Sequence, residues 1–300
     1  MLALQQINLI DVKANTASRT AQYMALYRAM ETQRPRSKRL FTDPYAIHFL
    51  DRGYRWLCRA ASFPPAEHLF YRIIQRRIPG SLASGLARTR YIDDLLEQAI
   101  GQGARQVILL GAGFDTRGLR LDCLKRLPVI EIDHPDTARR KRDILPPSPF
   151  INYIQLDFNR QDLDSLLREN LIDSRIPAVI IWEGVSNYLQ QEAIDKTFAF
   201  SAKFPRGSFL LFTYIDKKVL EDPSSYFGAQ RLLGDLDEIE EKWTFGFRPE
   251  ELPAYLHSFS FSLREDKGAA DYREQYLPER KHILQGYEFY RVAFAEKTGK

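Results

Sequence analysis

Cysteine is nearly absent from this chain: two in 300 residues, Cys58 and Cys123, far apart and without a C-x-x-C pair. A disulfide framework and a cysteine-based zinc site are thereby excluded, and both thiols read as small buried hydrophobes. Long apolar runs are missing as well. No uncharged apolar stretch reaches the roughly 18 residues a membrane helix needs, and the N-terminus MLALQQINLIDVKAN has neither a basic leader nor an apolar segment behind it. A cytoplasmic protein with no membrane partner is the expectation. Internal repeats, low-complexity segments and metal-ligand clusters are lacking too. What is present is ordinary for a globular chain with a sizeable core, at 44% hydrophobic content.

The net charge of +4 conceals an asymmetry. Residues 1–90 carry 15 Lys/Arg against 5 Asp/Glu, and the other 210 residues carry 28 against 34. This basic N-terminal part reads either as a solvated helical face or as a surface for an anionic substrate or acidic partner. No stacking platform or nucleic-acid motif accompanies it, so nucleic acid is not an expected partner.

From residue 87 the chain alternates. Helical periodicity over 87–100 ends at Gly101 and Gly103, and strands are predicted at 107–110, 129–133, 152–156, 178–182 and 208–214. Helical stretches fall between them at 116–124, from Pro135, at 163–171 and at 190–203. This alternation predicts an α/β fold, a doubly wound parallel sheet. Residues 1–86 read as a helical cap, and 87–300 as the main domain, the two forming one structural unit. Residues 216–247 interrupt the pattern as a lid candidate at the carboxyl ends of the strands, where such sheets bind ligands. A helix over 249–257 and alternating segments at 259–264 and 288–295, suited to an antiparallel sheet edge, complete the chain.

The stretch VILLGAGFDTRGLRLDCLKRLPVIEIDHP (107–135) carries the chemistry. An apolar strand meets Gly111-Ala112-Gly113, and a second strand ends on Asp133, twenty residues after Gly113. Glycines let backbone approach a ligand, and an acid at that distance can accept hydrogen bonds from a ribose diol. Asp157 and Glu183 end the next two strands. Three acids lining one crevice repel each other unless a cation offsets them. Asp115 stands where a pyrophosphate would dock, and Thr116 replaces the third glycine of G-x-G-x-x-G. A cationic, diol-bearing ligand, S-adenosylmethionine, therefore fits better than NAD. Several residues also have plainer readings: Asp115 as a helix cap, Glu183 as a loop acid, Arg88 as a solvated helix residue, His134 as a helix cap. Arg90 and Arg117 read as structural ion-pair partners, while Tyr188 and Tyr214 are either core aromatics or groups facing the methyl-transfer site.

LGAGFDTR, EIDHP, LDF and WEGVSNYL, in this order, with TDPYA and ARTRYID before them, resemble the leucine carboxyl methyltransferase family over roughly residues 17–295. The resemblance implies a class I, Rossmann-like S-adenosylmethionine-dependent methyltransferase with an N-terminal helical extension and a lid. It places Gly111 and Gly113 under the methionine part of the cofactor and Asp133 on its ribose. It also sets Asp157 with Phe158 at the adenine, Arg88 on the carboxylate, Glu183 near the ammonium and, more loosely, Arg28 as a basic contact. Leu109 stands where many class I enzymes carry an acid, which leaves Asp115 and Glu183 as candidates for that contact. The expected reaction is O-methylation of a carboxylate or hydroxyl on a small molecule of natural-product type, with presentation on an acidic carrier protein as one expectation for the basic N-terminal layer. A nicotinamide-dependent oxidoreductase and a non-catalytic cofactor-binding subunit are the alternatives. Oligomeric state is not legible.

Overall fold

The computed structural model describes residues 19–62, 64–157, 162–238, 241–280 and 285–299. Five parallel strands come first: β1 (Gln106–Leu110), β2 (Val129–Asp133), β3 (Ile151–Gln155), β4 (Ala178–Trp182) and β5 (Phe209–Ile215). With β6 (Phe261–Gly268) and β7 (Tyr290–Lys297) they form one seven-stranded sheet in the order β3-β2-β1-β4-β5-β7-β6, in which β7 runs antiparallel to both neighbours. The crossover between β3 and β4 reverses the strand order beside β1, so a crevice opens at the β1 and β4 tips.

Helices cover both faces. α1 (Arg19–Gln33), α2 (Arg52–Ala60), α3 (Pro64–Arg77) and α4 (Ser81–Gly101) precede the sheet. α5 (Arg117–Arg120), α6 (Pro135–Ile144), α7 (Leu163–Arg168) and α8 (Gln191–Ser201) connect its parallel strands. α9 (Lys218–Glu221), α10 (Ala229–Glu238), α11 (Leu252–Ser258) and α12 (Ala269–Tyr276) follow β5. At the centre of the sheet β4, and β1 beyond Gln106, are apolar without a break because each side chain finds an apolar layer on its own face. In β1, Val107 and Leu109 join the layer shared with α1 and α4, while Ile108 and Leu110 join the layer that holds Phe198 and Leu256. Burying a side chain of this size is worth about 1.5–3 kcal/mol.

The boundary expected at residue 86 falls inside α4, a continuous 21-residue helix whose buried face includes Leu82, Leu86 and Leu95. The N-terminal helices share their core with the sheet, so they are a layer of one unit. The helix expected over 116–124 is one turn, Arg117–Arg120, followed by a 3₁₀ turn at Asp122–Leu124. Gly118 packs closely there: a Cβ would lie 3.0 Å from Ile151 Cδ1, and that side chain would have to give way. The insertion after β5 is closed by a bridge between Asp216 and Phe247 and has its own apolar cluster, which includes Leu236, Trp243, Tyr287 and Phe289. It is pinned to the cap: Thr20 donates to Glu241 at 2.7 Å, and Arg231 donates to the Arg76 carbonyl at 2.9 Å. No helix among the described residues is long and apolar enough to cross a membrane.

Candidate cofactor and acceptor site

A cavity of about 590 Å³ opens over the tips of β1, β2 and β4, roofed by α1, α4 and α10. Its volume lies within the roughly 300–1,000 Å³ typical of small-molecule sites. Gly111 and Gly113 form its floor with φ of +65° and +48°, a region where a side chain is strained. A Cβ on Gly111 would also lie 2.6 Å from Val185 Cγ2.

Asp133 lies at the β2 tip on the same wall. Its carboxylate accepts the backbone N–H of Gly113 through one oxygen and that of His134, at 2.6 Å, through the other. Burial raises its pKa against these two donors. Each oxygen keeps a free lone pair, so the group is fixed in orientation and still able to take two hydroxyl donors. His134 caps α6, as its plainer reading predicts.

The acids do not confront one another bare. Arg117, 3% exposed, donates to Asp93 at 2.7 Å, to Glu183 at 2.8 Å and to Asp115. Arg88 Nε donates to Glu183 at 2.9 Å, and its guanidinium lies 4.6 Å from the centroid of the Tyr290 ring. Arg120 completes Asp93, and Arg28 pairs with Asp43 at 2.8 Å while donating to the Phe114 carbonyl at 2.6 Å. Burial alone would push Asp115 up, but the Arg117 guanidinium and Lys141 hold it well below the ordinary carboxylate range. Burial works the same way on Glu183, and Arg117 with Arg88 holds it low. Glu183 and Asp115 are therefore answered by arginines of the chain itself and Asp133 by backbone N–H groups, so the offsetting cations expected at these acids come from the chain and a ligand's charge is not required. Asp115 accepts the Arg117 backbone N–H at 2.7 Å from one position before Thr116, which itself stands at the N-cap of α5 without a capping side-chain bond.

The structure brings Arg28, Arg88, Gly111, Gly113, Asp115, Asp133, Glu183 and Tyr188 to the cavity wall. Two expected residues lie elsewhere. Asp157, two positions beyond β3, is half-buried and does not line the cavity. Tyr214 is a core aromatic. Its ring is fully buried, and its hydroxyl donates to Asp266 at 2.7 Å and accepts from Arg291 at 2.9 Å, away from the cavity. As the sixth residue of β5 it points into the layer of Phe212 and Phe247, which removes it as a catalytic candidate. Phe158 lies outside the described residues. Tyr188 faces the cavity, and burial pushes its phenol up to about 12.

Other lining residues went unnoticed in the sequence: Tyr23 and Tyr27 of α1, Arg231 of α10, and Trp243, Tyr287 and Tyr290. They come from segments without a motif and meet only in the fold. An S-adenosylmethionine molecule fits this arrangement. The glycine floor admits backbone contact, Asp133 offers two fixed acceptors for a ribose diol, and Arg88 uses only part of its donor fork on Glu183.

Comparison with known proteins agrees. The chain matches the leucine carboxyl methyltransferase family over residues 21–202. A Streptomyces avermitilis protein, assigned by name to the S-adenosyl-L-methionine-dependent methyltransferases, is 33% identical over 221 residues, 72% of this chain and 74% of its own. A Streptomyces coelicolor protein of the same designation is 33% identical over 181 residues, 59% of this chain; the match spans 61% of that relative's length. Among solved structures, a Thermobifida fusca protein designated a methyltransferase superposes with a TM-score of 0.59 at 16% identity, covering 92% of this chain and 94% of that one. These findings leave the nicotinamide reading unfavoured. The chain belongs to the leucine carboxyl methyltransferase family, on the class I methyltransferase fold.

Proposed function

We propose that the whole protein is an O-methyltransferase whose acceptor is a small molecule of natural-product type, with a carboxylate favoured over a hydroxyl. The observation that carries this reading is the composition of the cavity beyond the glycine floor. Tyr23, Tyr27, Tyr188, Trp243, Tyr287 and Tyr290 make an aromatic chamber, and no histidine stands among the described lining residues. A carboxylate is already ionised near neutral pH and needs no base, whereas an aliphatic hydroxyl does. When bound, S-adenosylmethionine supplies an electrophilic methyl whose C–S bond breaks as the C–O bond forms, the sulfur keeping the electron pair. The chain's part is positioning: Gly111 and Gly113 admit the cofactor, Asp133 and Arg88 orient its two ends, and the aromatic wall aligns the acceptor and excludes water. Holding two reactants in line is worth about 7–11 kcal/mol.

Presentation on an acidic carrier protein is supported by the outer face of the cap. Arg52, Trp56 and Arg59 share one exposed stripe of α2, and Leu69, Arg72 and Arg76 share another on α3, at helical spacing. Trp and Arg are the residues most enriched at binding hot spots. The test uses methyl-labelled cofactor with a panel of carboxylic acids and phenols, free and as carrier-bound thioesters that retain the acceptor oxygen. Transfer to acids supports the reading, and transfer only to nitrogen or sulfur nucleophiles contradicts it. Charge reversal at Arg52 and Arg59 should slow transfer to carrier-bound acceptors alone; equal slowing of both forms would contradict carrier docking.

A further inference from the structure

Two buried polar atoms in the acceptor chamber have no hydrogen-bond partner among the described residues: the Tyr287 hydroxyl and the Trp243 indole N–H. Tyr287 is 5% exposed and Trp243 7%, and both line the cavity. The Trp243 indole N–H lies near enough to the Tyr188 phenol to oppose the upward push of burial on it, yet it does not meet hydrogen-bond geometry there, so it stays available to a ligand. Leaving such a donor buried and unmet is costly, and native proteins rarely do so without a reason.

The Tyr287 ring is placed with care. Gly80, at the start of α4, has φ +91°, and a Cβ there would lie 2.7 Å from the ring; Gly228, just before α10, has φ +74°, and its Cβ would lie 3.1 Å from it. The Tyr287 backbone N–H donates to Ser84 Oγ at 2.6 Å, and the ring stacks on Phe289 with centroids 5.0 Å apart. Trp243 packs edge-on against the same Phe289 at 6.2 Å and against Tyr290 at 6.0 Å. Two glycines in left-handed conformation, a serine and an aromatic stack therefore fix a phenol whose hydroxyl has no partner among the described residues.

We infer that the acceptor carries, besides the oxygen that is methylated, a hydrogen-bond-accepting oxygen, a carbonyl or carboxylate on a flat apolar frame, held by Tyr287 and Trp243. An indole N–H only donates, so its ligand atom must accept. The aromatic faces around both donors suit a planar group. This inference rests on the O-methyltransferase reading for the site's purpose, but its test stands apart from it.

The protein is saturated with S-adenosylhomocysteine, and binding of two matched probes, 4-hydroxyacetophenone and 4-ethylphenol, is measured by calorimetry. They share the phenol and differ at the carbonyl. The wild type should prefer the ketone by about tenfold, the cost of an unmet buried donor. Tyr287→Phe and Trp243→Phe should each shrink that preference while binding of S-adenosylhomocysteine is kept. The Tm of Tyr287→Phe should stay level or rise, because an unpaired hydroxyl is removed. Equal affinity for the two probes, no binding of either, or a fall in the Tm of Tyr287→Phe would overturn the inference. Failure of labelled methyl transfer to every acid and phenol would count against the O-methyltransferase reading alone and leave the ketone preference standing.

Discussion

Replacing Arg117 by Met removes one cation from a buried site where three carboxylates meet it. Asp93 and Glu183 lie 2.7 and 2.8 Å from its nitrogens, and Asp115 also contacts it. Breaking a buried pair by removing one partner costs about 3–5 kcal/mol, and Arg120 and Arg88 remain to hold Asp93 and Glu183. The expected loss is therefore about 3–5 kcal/mol rather than three times that. At roughly 2–4 °C per kcal/mol for large domains, Tm should fall by on the order of 10 °C near pH 7.5. The pH dependence is the sharper signature. In the wild type, Asp115 and Glu183 titrate below their unfolded values, so their contribution is present above about pH 4 and is lost as pH falls. Without Arg117, burial, the largest single influence on Asp115, is expected to outweigh Lys141 and Arg120 and lift it above its unfolded value. Its contribution then reverses: the folded state is favoured below the unfolded pKa and loses stability as pH rises through the new folded one. Thermal melts from pH 4.5 to 8 should show wild-type Tm level or rising with pH, and variant Tm falling over the same range. Parallel curves would refute the idea that Arg117 neutralises Asp115 and Glu183.

Other expectations follow from the same geometry. Asp133→Ala should weaken cofactor binding by about 1–3 kcal/mol in calorimetry, and unchanged affinity would mean that the ribose contact lies elsewhere. Gly111→Ala should lose cofactor binding through its strained φ and its 2.6 Å approach to Val185, with partial recovery in the Val185→Ala double variant; full activity of the single variant would contradict the packing described. Tyr214→Phe should lower stability by about 1–3 kcal/mol while leaving cofactor affinity intact, since its hydroxyl serves Asp266 and Arg291. Tyr188→Phe should change turnover more than cofactor affinity, and the reverse order would place Tyr188 in the cofactor subsite.

The parallel strands were legible because their apolar runs and the turn residues between them are local signals. The glycine floor and Asp133 were legible for a related reason, since a strand, a turn and the next strand tip are joined by fewer than thirty residues. Asp115 and Glu183 were found as acids, but their meaning was not. Arg88, Asp93, Arg117 and Arg120 come from α4 and α5, and only the packing of α4 over the β1 tip joins them to Asp115 and Glu183 in a charge-balanced network. Tyr214 was misplaced because a tyrosine near a strand end satisfies two roles equally until the register of β5 against β7 is known. The acceptor chamber was invisible because Tyr27, Trp243 and Tyr287 lie in segments with no periodic partner in sequence, brought together by the insertion folding back over α1 and α4.

Titration calorimetry of the purified protein with S-adenosylmethionine, S-adenosylhomocysteine and NAD should show one-site binding of both adenosyl sulfur ligands, weakened for each by Asp133→Ala, and no heat with NAD. Binding of NAD with no response to either sulfur ligand would contradict the assignment of the cavity to S-adenosylmethionine.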